Sequence, residues 1–352
     1  MINLIESLNY RKDINAVLDR HNFEELRNKS IIITGATGLI GSAVVDMLLE
    51  LNSTKDYNIT IFACSRSEKN FLSRFGSQNE NLFFVKYDAT LPVDFNFKAD
   101  YLIHAASNAS PELYINYPVD TMLSNFIGMK NLLDYALKVN IRKVLYISSS
   151  EVYGILDTKN PIKEDLYGTV DILDVRSSYS SSKRATETLC MSYVVQYGLN
   201  VSIVRPGHIY GPTFLKNDNR VSSYFVNEAI NGHDLIMKST GEQIRSYCHC
   251  LDCASGILTV LIRGGNTAYN ISNKDSIISI RTMANIISQI SGVELKFDLP
   301  GGNHYKEKNP MLNASLDSNL IESLGWSAEF TPIRGFQNTI AIIKELKKSF
   351  EK

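Results

Sequence analysis

Two rhythms of apolar residues alternate along the chain. Short unbroken runs such as Ser30-Ile31-Ile32-Ile33-Thr34 have the length and β-branched content of a strand buried on both faces. Longer segments between them space apolar residues three and four apart, the mark of a helix with one inner face. Val44, Val45, Leu48 and Leu49 give such a face to a helix over 41–51. The pattern predicts strands at 30–34, 59–64, 82–87, 101–104, 143–148 and 200–204, with further helices at 119–139 and 178–197. Strands and helices alternating at this spacing predict an α/β fold built on a doubly wound, mostly parallel sheet.

Two segments depart from the rhythm. Ile14, Val17, Leu18, Phe23 and Leu26 predict an amphipathic helical arm over 12–28, ahead of the main fold. After Pro212 the alternation loosens, and 213–247 and 273–335 mix helices, short strands and loops. The expected organisation is an arm at 1–29, a sheet domain at 30–212 and a smaller C-terminal α/β lobe at 213–352. Part of that lobe, about 248–275, returns to the sheet domain. Ligands in this architecture bind at the carboxyl edge of the sheet, under the smaller lobe. Residues 155–177 have little periodicity, and a loop of that length points to function or motion.

Composition narrows the partners. With 352 residues, 44% of them hydrophobic, the chain can bury a large core. Lys and Arg number 36 against 37 acidic residues, so the net charge of -1 gives no general attraction to nucleic acid or a membrane surface. A phosphorylated ligand would be held by local arginines. No apolar run approaches the ~18 residues that span a bilayer, and acidic residues interrupt the N-terminus as a secretory signal. A cytoplasmic protein is expected. Five cysteines in a long chain argue against a disulfide scaffold. Cys248, His249, Cys250 and Cys253 cluster in CHCLDC, but no second ligand group accompanies them. A strand running into a helix would turn alternate side chains apart, and no metal is assigned.

The first motif that carries chemistry is Thr34-Gly35-Ala36-Thr37-Gly38-Leu39-Ile40-Gly41. It leaves a buried strand and opens a helix directly, the context a phosphate-binding turn requires. Glycine permits the tight turn and close backbone approach, and the helix N-terminus offers unpaired N–H groups to a pyrophosphate. A nicotinamide dinucleotide is the expected cofactor. The second strand ends Ser65-Arg66, without the acid that usually holds the adenosine ribose. These two residues tilt the choice toward NADP over NAD, although an arginine beside the adenine suits either. Asp88 and Ala89 follow the third strand near the expected adenine. Ala105, Ala106 and Ser107 follow the fourth, and are small enough to let a cofactor lie close.

Tyr179 and Lys183, in YSSSK, share one helical face. A phenol with its ordinary pKa near 10 is a poor base at neutral pH. A neighbouring ammonium and a positive nicotinamide ring would lower that pKa. Ser148-Ser149-Ser150-Glu151 ends the fifth strand, at the edge where this fold places catalysis. A hydroxyl there can share a sugar proton with Tyr179.

With TGATGLIG, HAASNASP, ISSSEVYG, YSSSK, RPGHIYGP and GEQIRSYCHCLD in place, the chain resembles the extended short-chain dehydrogenase/reductases that act on nucleotide sugars, over about residues 30–335. It is most similar to UDP-glucuronate decarboxylases and 4,6-dehydratases of the NAD-dependent epimerase/dehydratase type. The resemblance implies a Rossmann domain, a nucleotide diphosphate sugar as substrate (a UDP-sugar first) and a homodimer packed through long helices. It implies that Tyr179 takes the C4 hydroxyl proton as hydride leaves C4, that Lys183 tunes Tyr179, and that Ser149 bonds the same oxygen. Glu151 would stand near C5, Ser110 and Tyr114 of SPELY would reach the sugar, and Arg220 and Arg245 would grip the diphosphate. His208 stands where the family usually has Asn, and either contacts the ligand or packs.

Oxidation at C4 makes a ketone. A carboxylate at C6 would then leave as carbon dioxide, a hydroxyl there would leave as water, and otherwise hydride could return to the opposite face. The resemblance implies Asp-Glu in the dehydratases and Ser-Glu in the decarboxylases. This chain has Ser150-Glu151, and serine is a poor general acid. Decarboxylation is therefore the leading reading. A 4-epimerase, a 4,6-dehydratase, an NADP-dependent 4-ketoreductase and a non-catalytic cofactor-binding protein are the alternatives.

Overall fold

The computed structural model describes residues 3–214, 218–299 and 311–350. The strands are β1 (Ser30–Thr34), β2 (Thr60–Ser65), β3 (Leu82–Lys86), β4 (Tyr101–His104), β5 (Lys143–Ile147), β6 (Val201–Pro206), β7 (His208–Tyr210), β8 (Leu235–Met237), β9 (Ile244–His249), β10 (Ala268–Ile271), β11 (Ile277–Ser279), β12 (Leu295–Phe297) and β13 (Asn313–Ala314). The helices are α1 (Leu8–Leu18), α2 (Leu39–Lys55), α3 (Glu68–Phe75), α4 (Pro111–Asn116), α5 (Pro118–Val139), α6 (Ser177–Tyr197), α7 (Val221–Ile230), α8 (Cys250–Arg263), α9 (Ile280–Ser291), α10 (Asn319–Glu322) and α11 (Pro332–Phe350).

Seven parallel strands form the central sheet in the order β10-β6-β5-β4-β1-β2-β3. This is a Rossmann-like α/β fold. Chain order reverses between β1 and β4, so the connections that follow them leave in opposite directions and open a crevice at the carboxyl edge. Ile31 and Ile33 face one side with the inner faces of α2 and α8, and Ile32 faces the other with Leu132, Leu133 and Cys190 of α5 and α6. That two-sided burial is why β1 reads as an unbroken apolar run.

Smaller sheets sit over the carboxyl edge. β9 pairs with β7, β11 and β13, and β12 pairs with β8. CHCLDC is the junction of β9 with α8. Cys248, Cys250 and Cys253 are buried free thiols, and His249 caps α8 by accepting the Leu251 N–H at 3.4 Å.

The arm differs from its expected extent. Ser7 caps the helix by accepting the Tyr10 N–H, and α1 ends at Leu18. Phe23 and Leu26 continue the apolar spacing but belong to a loop and a 3-10 turn at Glu24–Leu26. Tyr10 donates to buried Asp46 of α2, which also pairs with Arg74 of α3. Arg11 and Asn15 bond Glu50 of α2. At the other end of the chain, Ser7 and Asn9 both donate to Glu345 of α11 at 2.8 Å, and Asn338 donates to Asp13 at 2.7 Å.

Candidate active site

Gly35 leaves β1 with φ +66°, and a Cβ there would lie 2.7 Å from the Ala105 carbonyl and 2.8 Å from the Ala106 nitrogen. Only glycine lets the ends of β1 and β4 meet this closely. A Cβ on Gly41 would overlap the Gly35 carbonyl, so α2 also needs glycine to approach the turn. Thr34 Oγ1 accepts the N–H groups of Ala105 at 3.2 Å and Ala106 at 3.3 Å. Its own proton is thereby directed to His104 Nδ1, 2.7 Å away. Burial, with the charge of Lys183 added, holds His104 neutral with its pKa lowered to about 3.

Gly38 is the N-cap of α2, so the amides of Leu39 and Ile40 have no acceptor within the helix. The adjoining cleft has a volume of about 850 Å³. Its walls include Gly35, Thr37, Gly38, Ser65, Arg66, Asp88, Ala89, Ala105, Ala106 and Ser107. A cradle that a Cβ would fill, opening on a helix N-terminus, fits a dinucleotide pyrophosphate. Ser65 is buried, with its hydroxyl 3.4 Å from Thr37 Oγ1, and Arg66 is exposed. The Asp88 carboxyl is held below its usual range by the Thr90 N–H and hydroxyl, with Arg66 adding to the effect.

Across the crevice the reactive side chains converge. Tyr179 lies in the first turn of α6, buried, with the Tyr114 ring stacked on it at 5.2 Å. Burial raises the Tyr179 phenol well above its ordinary pKa, and the Glu151 and Tyr114 oxygens add to this; hydrogen bonds with Ser149 and Ser107 work the other way. The protein's own groups therefore do not produce the expected lowering. Lys183 is one turn on, its ammonium 5.7 Å from the Tyr179 ring and 4.7 Å from the Tyr146 ring. It donates to the Ile147 carbonyl at 2.8 Å, and burial lowers its pKa to about 7. Ser149 accepts the Glu151 N–H at 3.2 Å, opening the turn Ser150–Tyr153 and leaving its own O–H free to donate elsewhere. Ser150 is half-buried and Glu151 exposed at the mouth.

The smaller lobe supplies basic groups. Arg245 of β9 is buried and donates to the carbonyls of Ile244 at 2.8 Å and Met311 at 3.2 Å. Arg220 caps α7 and is engaged by Asp218, with Nε at 2.9 and 3.1 Å from the two carboxylate oxygens. His208 pairs with Tyr247 in the β7–β9 register, and the side chains of Arg245 and Arg220 bear on it electrostatically. Ser110 faces the same loop, its hydroxyl 3.5 Å from Asn219 Oδ1.

A family description, NAD dependent epimerase/dehydratase, matches residues 31–272. The chain belongs to this family. UDP-glucuronic acid decarboxylase 3 of Arabidopsis thaliana is 31% identical over 300 residues, covering 85% of this chain and 84% of the relative. Among solved structures, a UDP-glucose 4-epimerase of Thermotoga maritima with UDP-glucose superposes with TM-score 0.75 at 21% identity, over 90% of this chain and 99% of that one. A dTDP-glucose 4,6-dehydratase of Streptomyces venezuelae with NAD bound gives 0.74 at 23%, over 91% and 98%. Family membership and the buried, paired constellation around Tyr179 identify the chain as an enzyme.

Several site residues escaped the sequence reading. Tyr117, Asp120 and Ser124 line the same cleft as Gly35 and Gly38, from the start of α5. Tyr117 and Asp120 are exposed like the apolar Val119, Met122 and Leu123 beside them, so no inner-face pattern marks them. Arg176, just before α6, hydrogen-bonds the Tyr114 phenol. Asn125, inside α5, accepts from Ser107 at 2.8 Å and donates to Ser182 at 3.0 Å, joining the cleft wall to α6. Nothing in local periodicity marks either residue.

Proposed function

We propose that this enzyme oxidises a nucleotide sugar at C4 and then decarboxylates it, with UDP-glucuronate as the substrate. The observation that carries the reading is Ser150-Glu151 at the mouth of the Tyr179 pocket, with no second carboxyl acid adjacent to Glu151 in the chain. The decarboxylase relative adds support.

In this reading Tyr179 accepts the C4 hydroxyl proton, and Ser149 steadies the same oxygen. Bound oxidised nicotinamide supplies the hydride acceptor and a positive charge that offsets the burial penalty on the Tyr179 phenolate. The resulting 4-ketone stands β to the C6 carboxylate. The C5–C6 bond breaks, carbon dioxide leaves, and its electron pair moves into the C4 enolate. Glu151 stands where C5 is reprotonated, and Tyr179 then returns its proton to the C4 oxygen as hydride goes back to C4, which leaves a UDP-pentose and the cofactor oxidised again. Arg220 and Arg245 hold the diphosphate, with Asp218 giving way at Arg220, and Ser110 and Tyr114 face the sugar. We assign the dinucleotide to residues 30–212 and the sugar nucleotide mainly to 213–352.

NAD is the cofactor we favour. Arg66 shares its cleft with Asp88, whose charge opposes a 2′-phosphate, and the dehydratase neighbour carries NAD. The tilt toward NADP drawn from Ser65-Arg66 gains no support, and the dissociation constants of the two cofactors decide it. The exposed stripe of Val119, Met122, Leu123, Phe126 and Ile127 on α5 supports a homodimer through the long helices.

The deciding experiment supplies NAD and UDP-glucuronate and follows carbon dioxide and the nucleotide product by mass. Carbon dioxide with a UDP-pentose is expected. Conversion of UDP-hexoses alone would point to epimerisation, and a 4-keto-6-deoxy sugar would overturn the role given to Ser150.

A further inference from the structure

His208 is a titratable side chain beside the two arginines that the proposed chemistry leaves unused. Its backbone belongs to β7, paired residue for residue with β9, so His208 and Tyr247 point to the same side with ring centroids 5.9 Å apart. Arg245 lies two residues before Tyr247, hence on the same face of β9. Arg220 reaches over from the start of α7, its Nη1 3.4 Å from the Ile209 carbonyl beside His208. His208 is half-buried, and its Nδ1 is buried with no hydrogen-bond partner among the described residues. A buried ring nitrogen without a partner is costly unless a ligand completes it.

We infer that His208 is a proton-coupled reader of the diphosphate, neutral in the protein alone and protonated when a sugar nucleotide's phosphates settle between Arg220 and Arg245. The charged groups facing His208 are the two arginines, and Asp218 is locked to Arg220. Tyr247 and Tyr210 are neutral phenols near neutral pH, both raised by burial. Burial and the two arginines together hold His208 at a pKa of about 3. Two phosphate charges placed between the arginines reverse that field and offer oxygens to an imidazolium N–H. The proton comes from solvent, and no bond to carbon changes.

The inference rests on the reading of this lobe as a diphosphate site, and linkage fixes its sign. If the bound form takes a proton that the free form lacks, affinity is greatest at low pH. It then weakens by up to about tenfold per pH unit as pH rises toward the bound-state pKa. The probe is UDP-glucose, whose diphosphate does not titrate near neutrality, added to NAD-loaded protein carrying Tyr179→Phe to prevent turnover. Calorimetry in buffers of different ionisation enthalpy counts the protons taken up between pH 5.5 and 7.5. Uptake of a substantial fraction of one proton is expected. It is abolished by His208→Asn, which should still bind UDP-glucose and flatten the pH slope; His208→Gln serves if Asn misfolds. Binding with no uptake, or with equal uptake in the variant, overturns the inference and leaves the diphosphate site standing. No binding of UDP-glucose at any pH overturns both.

Discussion

Gly35→Ala isolates the contact on which the dinucleotide cleft depends. The new Cβ meets the Ala105 carbonyl at 2.7 Å and the Ala106 nitrogen at 2.8 Å. Both are backbone atoms, and Thr34 pins both amides, so no side-chain rotation relieves the overlap. Overpacking of this kind costs about 1–3 kcal/mol. The residue must also keep φ at +66°, which adds roughly 1–2 kcal/mol for an L side chain. The total is about 2–5 kcal/mol. Unfolding entropy of about 2.1 cal/mol/K per residue makes each kcal/mol worth roughly 1–2 °C in a chain this long. A fall in Tm of about 3–7 °C is expected. If the strand ends part to make room, NAD affinity falls by more than about tenfold, since 1.4 kcal/mol is one decade. Gly76→Ala is the control. It has φ +76° with nothing within 4 Å of its Cβ, so it pays the dihedral term alone and leaves NAD binding intact. Thermal melts and NAD titrations of both variants are the assay. A Gly35→Ala protein within about 1 °C of the parent, or equal loss of NAD affinity in Gly76→Ala, would refute the argument.

Three further outcomes follow from the site and the core. Tyr179→Phe should lower kcat by about 10²–10⁴-fold while the Kd for NAD stays within about twofold; steady-state rates beside a cofactor titration show whether the two separate. Ser150→Asp sets an acid beside Glu151, and should lower carbon dioxide release from UDP-glucuronate while admitting a 4-keto-6-deoxy product from UDP-glucose, detectable by mass. Acid should destabilise the fold early. His21, His104 and His249 have pKa values lowered to about 4, 3 and 3, mainly by burial. The unfolded chain therefore binds more protons below about pH 6.5, and stability falls as pH falls. Asp13 and Asp252, raised by burial to about 6 and 7, work the other way until about pH 4. Melts at pH 7 and pH 5 should show a lower Tm at pH 5, and Asp252→Asn should steepen the difference.

The sheet was legible because its strands are buried on both faces, where local sequence and tertiary environment demand the same residues. Six of its seven strands fell within two residues of their expected bounds. The seventh, β10, is only four residues long, and Asn270 within it donates to the Ile162 carbonyl, so its polar content hid it. The arm misled for a different reason. Phe23 and Leu26 keep helical spacing, yet Asp19-Arg20-His21-Asn22, between Leu18 and Phe23, turns the chain. The glycine turn and the Tyr179-Lys183 pair were readable because their chemistry is local. Asn125, Arg176 and the Asp218 clamp on Arg220 were not, since each takes its role from elements distant in sequence or from an ion pair that no periodicity announces.

The bonds from Ser7 and Asn9 to Glu345 set a schedule for biosynthesis. Those partners are separated by more than three hundred residues. At about 5–20 residues per second, the first helix waits on the order of 20–70 s for its acceptor to be made. Through that interval Tyr10, Ile14 and Val17 can already dock on α2, but the final clasp awaits the synthesis of α11. Chaperone dependence should accordingly last until α11 is made, and Glu345→Ala should be felt first at α1.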